Sequence, residues 1–383
     1  MEIEIGEIKK NNNANNTNIP TLDENVSYDF FFQNHMYPNI PCLIKNVTTG
    51  WESANKWTIN DRPNFDYLSN QYGNFQVTIY KCNEKYFNSQ KTYQSTFKSY
   101  LDNWNKLKTQ NQLHYLKDWH LKRERPQDNF YVVPKYFASD WLNEFLVNNQ
   151  DDDYRFVYMG PKNTWTPFHS DVFSSFSWSV NVCGKKKWLF FKPGDENAMR
   201  NELNNLPYDV TATDFAGKCI QIVQSQGDAV FVPSCWYHQV YNLEDTISIN
   251  HNWINGCNVQ FMWEALNEHL KTVVSEIDDC KEMSDFAEHC QLMLKASFGI
   301  NYYKFYEMIR YIAFSRLDAL NSNEDVILHN GYCLGKNHLQ FDLKAIENVL
   351  RSFAYCNEVM NLNYFKTVDP HPQKLLLQIE HAY

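Results

Sequence analysis

Two short runs constrain this chain more than its overall composition does. Trp165-Thr166-Pro167 leads into His169-Ser170-Asp171, and a second histidine follows 69 positions after the first, in Trp236-Tyr237-His238. That histidine comes after the turn-and-strand run Gly227-Asp228-Ala229-Val230-Phe231-Val232-Pro233. Successive side chains of a strand point to opposite faces, so His169 and Asp171, two apart, look the same way and one short strand can supply both. A third ligand must then come from a strand distant in sequence but adjacent in a rolled-up sheet, and His238 stands at the start of such a strand. Two imidazoles and one carboxylate on one face of an octahedral ion leave three positions open, which suits Fe(II) when a co-substrate and dioxygen bind together. The expectation is a non-haem iron oxygenase.

With 12 His and 45 acidic residues, chance alone yields some HxD matches, so the neighbouring residues must carry the argument. Phe176 to Asn181 alternates, with Phe176, Trp178 and Val180 on one face and Ser177, Ser179 and Asn181 on the other. This is the pattern of a half-buried strand lining a polar cavity. Thr246, Ser248, Asn250 and Asn252 share a face in the same way. Between these segments, Gly184-Lys185-Lys186-Lys187-Trp188-Leu189-Phe190-Phe191 reads as a turn entering an apolar strand, where a lysine can reach inward to an anion. Tyr154 to Trp253 carries seven or eight short alternating segments separated by turns such as Lys192-Pro193-Gly194-Asp195. That is the texture of a small antiparallel double-stranded β-helix.

Taken together, Thr166-Pro167-x-His169-x-Asp171, Trp178, Gly184-x-Lys186-x-Trp188, Gly227-Asp228 and Trp236-Tyr237-His238 resemble the Jumonji-C (JmjC) family of 2-oxoglutarate-dependent oxygenases. Tyr115 to His120, Ser139 to Phe145, Asp152 to Tyr158 and Asp245 to Trp253 extend the resemblance, which runs from roughly Tyr37 to Leu376. It implies a mainly β fold with α, a cupin-like jelly roll flanked by N-terminal α/β elements and a C-terminal helical region. It also implies Fe(II), with 2-oxoglutarate and O2 as co-substrates. Carried over by position, the iron ligands are His169, Asp171 and His238. Lys186 pairs the distal carboxylate of 2-oxoglutarate, Thr166 and Tyr115 donate hydroxyls to it, and Asn250 and Asn252 are pocket neighbours. An ammonium is a point charge suited to a carboxylate in a partly dry pocket, and charge-assisted bonds are roughly twice as strong as neutral ones. Lys185 and Lys187 alternate outward.

The chain has 383 residues, 43% of them hydrophobic, enough for one catalytic domain and an appended subdomain. The sequence divides into an Asn-rich tail (1–18) expected to be disordered, an N-terminal flanking α/β region (19–153), the β-helix core (154–256) and a C-terminal helical region (257–383). In the flanking region, Phe75 to Tyr80 reads as a strand, Tyr93 to Trp104 as helical and Trp141 to Val147 as a helix. After Gly256, Met262, Leu266, Leu270 and Val273, then Phe305, Met308, Ile309 and Ile312, take up spacings of three and four. These helices are expected to pack against the barrel, and an oligomer through them is left open.

A net charge of −10 disfavours a nucleic-acid backbone as partner and favours a basic protein segment. Ten cysteines without a C-x-x-C pair, and no N-terminal apolar run, point to a reducing, cytoplasmic setting without a membrane span. The resemblance implies a protein side-chain hydroxylase acting at C4 of a lysine in the eukaryotic translation release factor that reads stop codons. The alternative is an Nε-methyl-lysine demethylase of histone type, against which stands the lack of a paired C-x-x-C zinc cluster. A cupin-like scaffold without catalysis is disfavoured because all three ligand types are present. A lysine-directed site wants a carboxylate or aromatic groups around the ammonium; Asp118, the neighbours of Asp171 and Tyr158 are candidates among which spacing does not select, and Asp118 serves equally as a structural salt-bridge partner.

Overall fold

The computed structural model describes residues 1–8, 18–87, 89–322 and 324–382. The N-terminal region contributes β1 (Thr21–Leu22), β2 (Cys42–Ile44), β3 (Gln76–Tyr86), β4 (Ser89–Thr96) and β5 (His114–Trp119). The central region contributes β6 (Arg155–Gly160), β7 (Trp165–His169), β8 (Phe176–Cys183) and β9 (Lys186–Phe191). It continues with β10 (Ile220–Gln224), β11 (Ala229–Val232), β12 (Tyr237–Asn242) and β13 (Thr246–Trp253). The central strands sort into two antiparallel sheets with the order β7-β12-β9-β10 in one and β11-β8-β13-β6 in the other, the double-stranded β-helix. The second sheet is extended at both edges, by β2 and β1 beside β11 and by β5, β3 and β4 beside β6, giving nine strands. The N-terminal region thus lengthens one wall and covers sheet edges that would otherwise invite foreign strands.

Alternation decides which side chains meet. Phe176, Trp178 and Val180 of β8 join a core with Phe31, Phe137 and Trp253, while Ser177 and Ser179 face the space between the sheets. β8 is therefore covered on both faces rather than half-buried, since the smaller sheet closes over its polar side.

The flanking region departs from expectation at Tyr93. Tyr93 pairs with Ile79 across the β3–β4 hairpin, and the helix α1 (Phe97–Thr109) begins only after Thr96, whose side chain accepts from the Ser99 amide as N-cap. The apolar spacing Phe97, Tyr100, Leu101, Trp104 belongs to this helix, and Tyr93 matches it only by coincidence of period. The helix α2 (Trp141–Asn148) forms where expected, capped by Asp140 accepting from the Asn143 amide. The disordered tail expected over 1–18 is not what its first residues do. Glu2–Ile3 runs parallel to Cys333–Leu334, and Ile3 and Ile5 are buried. Residues 9–17, the Asn-rich part, lie outside the described residues.

The C-terminal helices α3 (Val259–Glu276), α4 (Phe286–Phe298), α5 (Tyr302–Ser322), α6 (Lys336–Phe353) and α7 (Pro372–Glu380) build a second core with α2 and Ile254. The residues spaced three and four apart, from Met262 to Ile312, all lie inside it. Among the described residues, no helix is long and apolar enough to cross a membrane.

Candidate active site

Sheet register brings the two histidines together. His169 ends β7 and is the cross-strand partner of His238, the second residue of β12, so their ring centroids stand 4.4 Å apart. The expectation that one strand supplies His169 and Asp171 needs correction, because β7 stops at His169. Asp171 follows in extended backbone (φ −68°, ψ 152°) at the head of a short 3-10 turn, so the two-residue alternation survives although the strand does not. One ligating atom from each of His169, Asp171 and His238 lies within 4.8 Å of the others.

The surroundings fix how each group presents itself. The Nδ1 of His169 is 2.7 Å from the Pro167 carbonyl and that of His238 is 3.1 Å from the Trp236 carbonyl. A carbonyl only accepts, so each Nδ1 carries the proton and each Nε2 keeps its lone pair for an ion. Burial, reinforced by His238, holds the His169 imidazole down at about 4, in the neutral form that binds metal. The Ser177 hydroxyl donates to Asp171 Oδ2 at 2.6 Å and orients that carboxylate.

In the same four-stranded sheet as the histidines, Gly184 (φ +77°) turns the chain into β9 and delivers Lys186, 2% exposed, to the interior. Its ammonium donates to Ser248 Oγ at 2.6 Å and lies 3.4 Å from Ser179 Oγ, and among the described residues no carboxylate pairs with it. Burial pulls Lys186 down to about 7. Lys185 instead pairs with Glu244 at the surface, and Lys187 lies over the Tyr241 ring. The Thr166 hydroxyl is buried without a partner among the described residues, and the buried Tyr115 lines the same cavity. Asn250 donates to Ser248 Oγ at 3.1 Å and Asn252 to Ser175 Oγ at 3.0 Å. All eight residues singled out from sequence line one cavity of about 540 Å³. A borderline-soft donor set that shares one cavity with a buried ammonium lacking a carboxylate partner and a buried hydroxyl lacking any partner, both among the described residues, fits a divalent iron together with a small anion.

Two wall residues, Ser177 and Lys117, were not anticipated in their roles. Ser177 was placed on the polar face without a role. Lys117 is buried, donates to Gln90 Oε1 at 3.0 Å and lies over the Tyr80 ring. Its position two residues after Tyr115 was the available signal, since both share one face of β5. Asp118 also reaches the cavity, with a left-handed backbone that alternation does not predict. A second set of close ligating atoms, His120, Asp152 and Asp153, is already engaged by arginines: Arg155 pairs with Asp153 at 2.8 Å and Arg123 with Asp152.

A β-helix that offers two histidines and an aspartate to an ion, with a buried lysine in the same cavity, defines the cupin-like class of iron oxygenases, and comparison with known proteins agrees. Residues 28–258 match the family of the Cupin-like domain. The chain is 43% identical to the "2-oxoglutarate and iron-dependent oxygenase JMJD4 homolog" of Drosophila melanogaster over 366 residues, 86% of each chain. It is 40% identical to the "2-oxoglutarate and iron-dependent oxygenase JMJD4" of Homo sapiens over 375 residues, covering 93% of this chain and 89% of that one. The "Arginine-specific demethylase JMJ20" of Arabidopsis thaliana is 35% identical over 362 residues, 88% of this chain and 77% of its own. The chain belongs to the JmjC family, among the JMJD4 oxygenases, and is an enzyme that uses iron, 2-oxoglutarate and O2.

Proposed function

We propose that this oxygenase is a protein hydroxylase that acts at C4 of a lysine in the eukaryotic translation release factor, in the cytoplasm. In this reading His169, Asp171 and His238 hold the iron, and Lys186 pairs the far carboxylate of 2-oxoglutarate. Thr166 and Tyr115 donate to that carboxylate, and Asn250 and Asn252 complete the polar wall. The observation that carries the iron and 2-oxoglutarate assignment is the buried Lys186 ammonium, without a carboxylate partner among the described residues, in one cavity with the three ligating side chains. Identity to the JMJD4 oxygenases over most of the chain supports the hydroxylase reading.

Bound iron and 2-oxoglutarate supply the oxidation: O2 and 2-oxoglutarate become succinate and carbon dioxide as one substrate C–H becomes C–OH. The protein's own residues do the rest. The Pro167 and Trp236 carbonyls keep both imidazoles in the ligating tautomer. Ser177 holds one oxygen of Asp171, and the buried Lys186 pairs the anion within the cavity. The buried rings of Phe168 and Trp188 line the cavity and help to exclude water.

A second reading is removal of an N-methyl group, from a histone lysine or, following the name of the plant relative, from an arginine. Mass spectrometry of recombinant release factor incubated with the protein, Fe(II), 2-oxoglutarate and ascorbate, beside methylated histone peptides, tests both. One added oxygen on a release-factor lysine is expected. Loss of a methyl group from a histone peptide with no oxygen on the factor would overturn the hydroxylase reading.

A further inference from the structure

At the opening of the cavity, β5 departs from strict alternation. Tyr115 and Lys117 face the cavity while Leu116 and Trp119 enter the core, so Asp118 would be expected to point toward the core as well. Instead the register against β6 slips between Leu116 and Trp119: Leu116 stands opposite Met159 and Trp119 opposite Val157, so one extra residue is accommodated on β5. Asp118 is that residue. Its φ of +56° turns its carboxylate to the same side as Lys117, and such a bulge re-aims one side chain at the cost of a ladder position.

The carboxylate is held in place but not used up. Tyr80 donates to one oxygen and Tyr158 to the other, each at 2.6 Å. An ionised carboxylate has about four lone-pair sites, so roughly two remain open. Asp118 is solvent-exposed at the opening, and among the described residues no lysine or arginine forms an ion pair with it. The adjacent Lys117 is engaged elsewhere, with Gln90 and the Tyr80 ring. Burial and Asp118 itself keep the Tyr80 and Tyr158 phenols well above their ordinary range, so they remain neutral donors. Two phenol hydroxyls thus orient the carboxylate, and its remaining lone pairs offer an incoming cation charge-assisted bonds.

We infer that Asp118, framed by Tyr80 and Tyr158, receives the terminal cation of the substrate side chain and so selects lysine over neutral side chains. This inference rests on the proposed lysine-directed activity and deepens it.

The test is a binding experiment that needs neither turnover nor the release factor. The full chain is loaded with Mn(II) and N-oxalylglycine, an inert 2-oxoglutarate analogue. Paramagnetic relaxation of side-chain protons then reports binding of the Nα-acetyl amides of lysine, arginine and norleucine. Lysine amide is expected to bind at least about tenfold more tightly than norleucine amide, the effect of one charge-assisted contact. Asp118→Asn is expected to bring that ratio near one without changing N-oxalylglycine affinity, and Asp118→Glu to retain part of it. Equal relaxation by norleucine, no relaxation by any amide, tighter binding of arginine than lysine, or an undiminished lysine preference in Asp118→Asn would overturn the inference. Lysine preference together with an unmodified release factor would instead fault the proposed protein substrate and leave the role of Asp118 standing.

Discussion

At the level of single side chains, the site makes sharp demands. His169→Ala or Asp171→Ala should abolish succinate formation from 2-oxoglutarate while circular dichroism stays unchanged, and turnover retained in either would remove the triad assignment. Ser177→Ala releases one oxygen of Asp171, so iron affinity, read by metal titration, should fall by about 10–100-fold. Lys186 gives a pH dependence with a definite sign. Burial brings it to about 7 in the empty site, so above that pH it is largely neutral and must gain a proton when a carboxylate docks. Affinity for 2-oxoglutarate should therefore decline as pH rises above about 7, and calorimetry at pH 8 in buffers of different ionisation heat should show proton uptake. Lys186→Met should lose that uptake and weaken binding by about 1.5–3 kcal/mol. Unchanged affinity would move the role to another residue.

At the level of strands and helices, one glycine sets the position of the lysine. Gly184 adopts φ +77°, and a Cβ there would come within 2.4 Å of the Asp245 carbonyl oxygen. Gly184→Ala should cost about 1–3 kcal/mol in urea unfolding and raise KM for 2-oxoglutarate, because Lys186 starts the next strand two residues later. Periodicity made β8, β9 and β13 legible together with the residues each turns to the cavity. It failed at Tyr93, where a helical spacing ran back into a strand already paired with β3. It failed again at Asp118, because a bulge is a property of two strands in register and neither strand shows it alone.

Across the whole molecule, the helical region is fastened to the rest by a buried ionic link. Arg316 on α5 donates to both oxygens of Glu144 on α2, at 2.7 and 2.9 Å, and to Asp342 on α6 at 3.0 Å. The two carboxylates hold the guanidinium well above its ordinary value. Arg316→Ala leaves both acids buried without their shared cation, so stability should drop by about 3–5 kcal/mol, with denaturant unfolding as the check. A loss below about 1 kcal/mol would show that the acids find other partners. The strand Glu2–Ile3 closes the far side of the same region against Cys333–Leu334, although its short length gives no detectable period in sequence.

The sequence alone determined the chemistry and the layers: HxD with a distant histidine, the alternation of β8 and β13, the lysine after a turn glycine, and the three-and-four spacing beyond Gly256. Those signals are local, because strand and helix periods are fixed within a few residues of backbone. Tertiary structure decided what depends on distant pairing. It set the register that makes His169 and His238 partners, and it closed a second sheet over the polar face of β8. It also left Lys186 buried without a counter-charge among the described residues, and it turned Asp118 toward the cavity through a slipped register. Each of these joins segments tens of residues apart, and the identity of neighbours across a sheet is written in neither strand by itself.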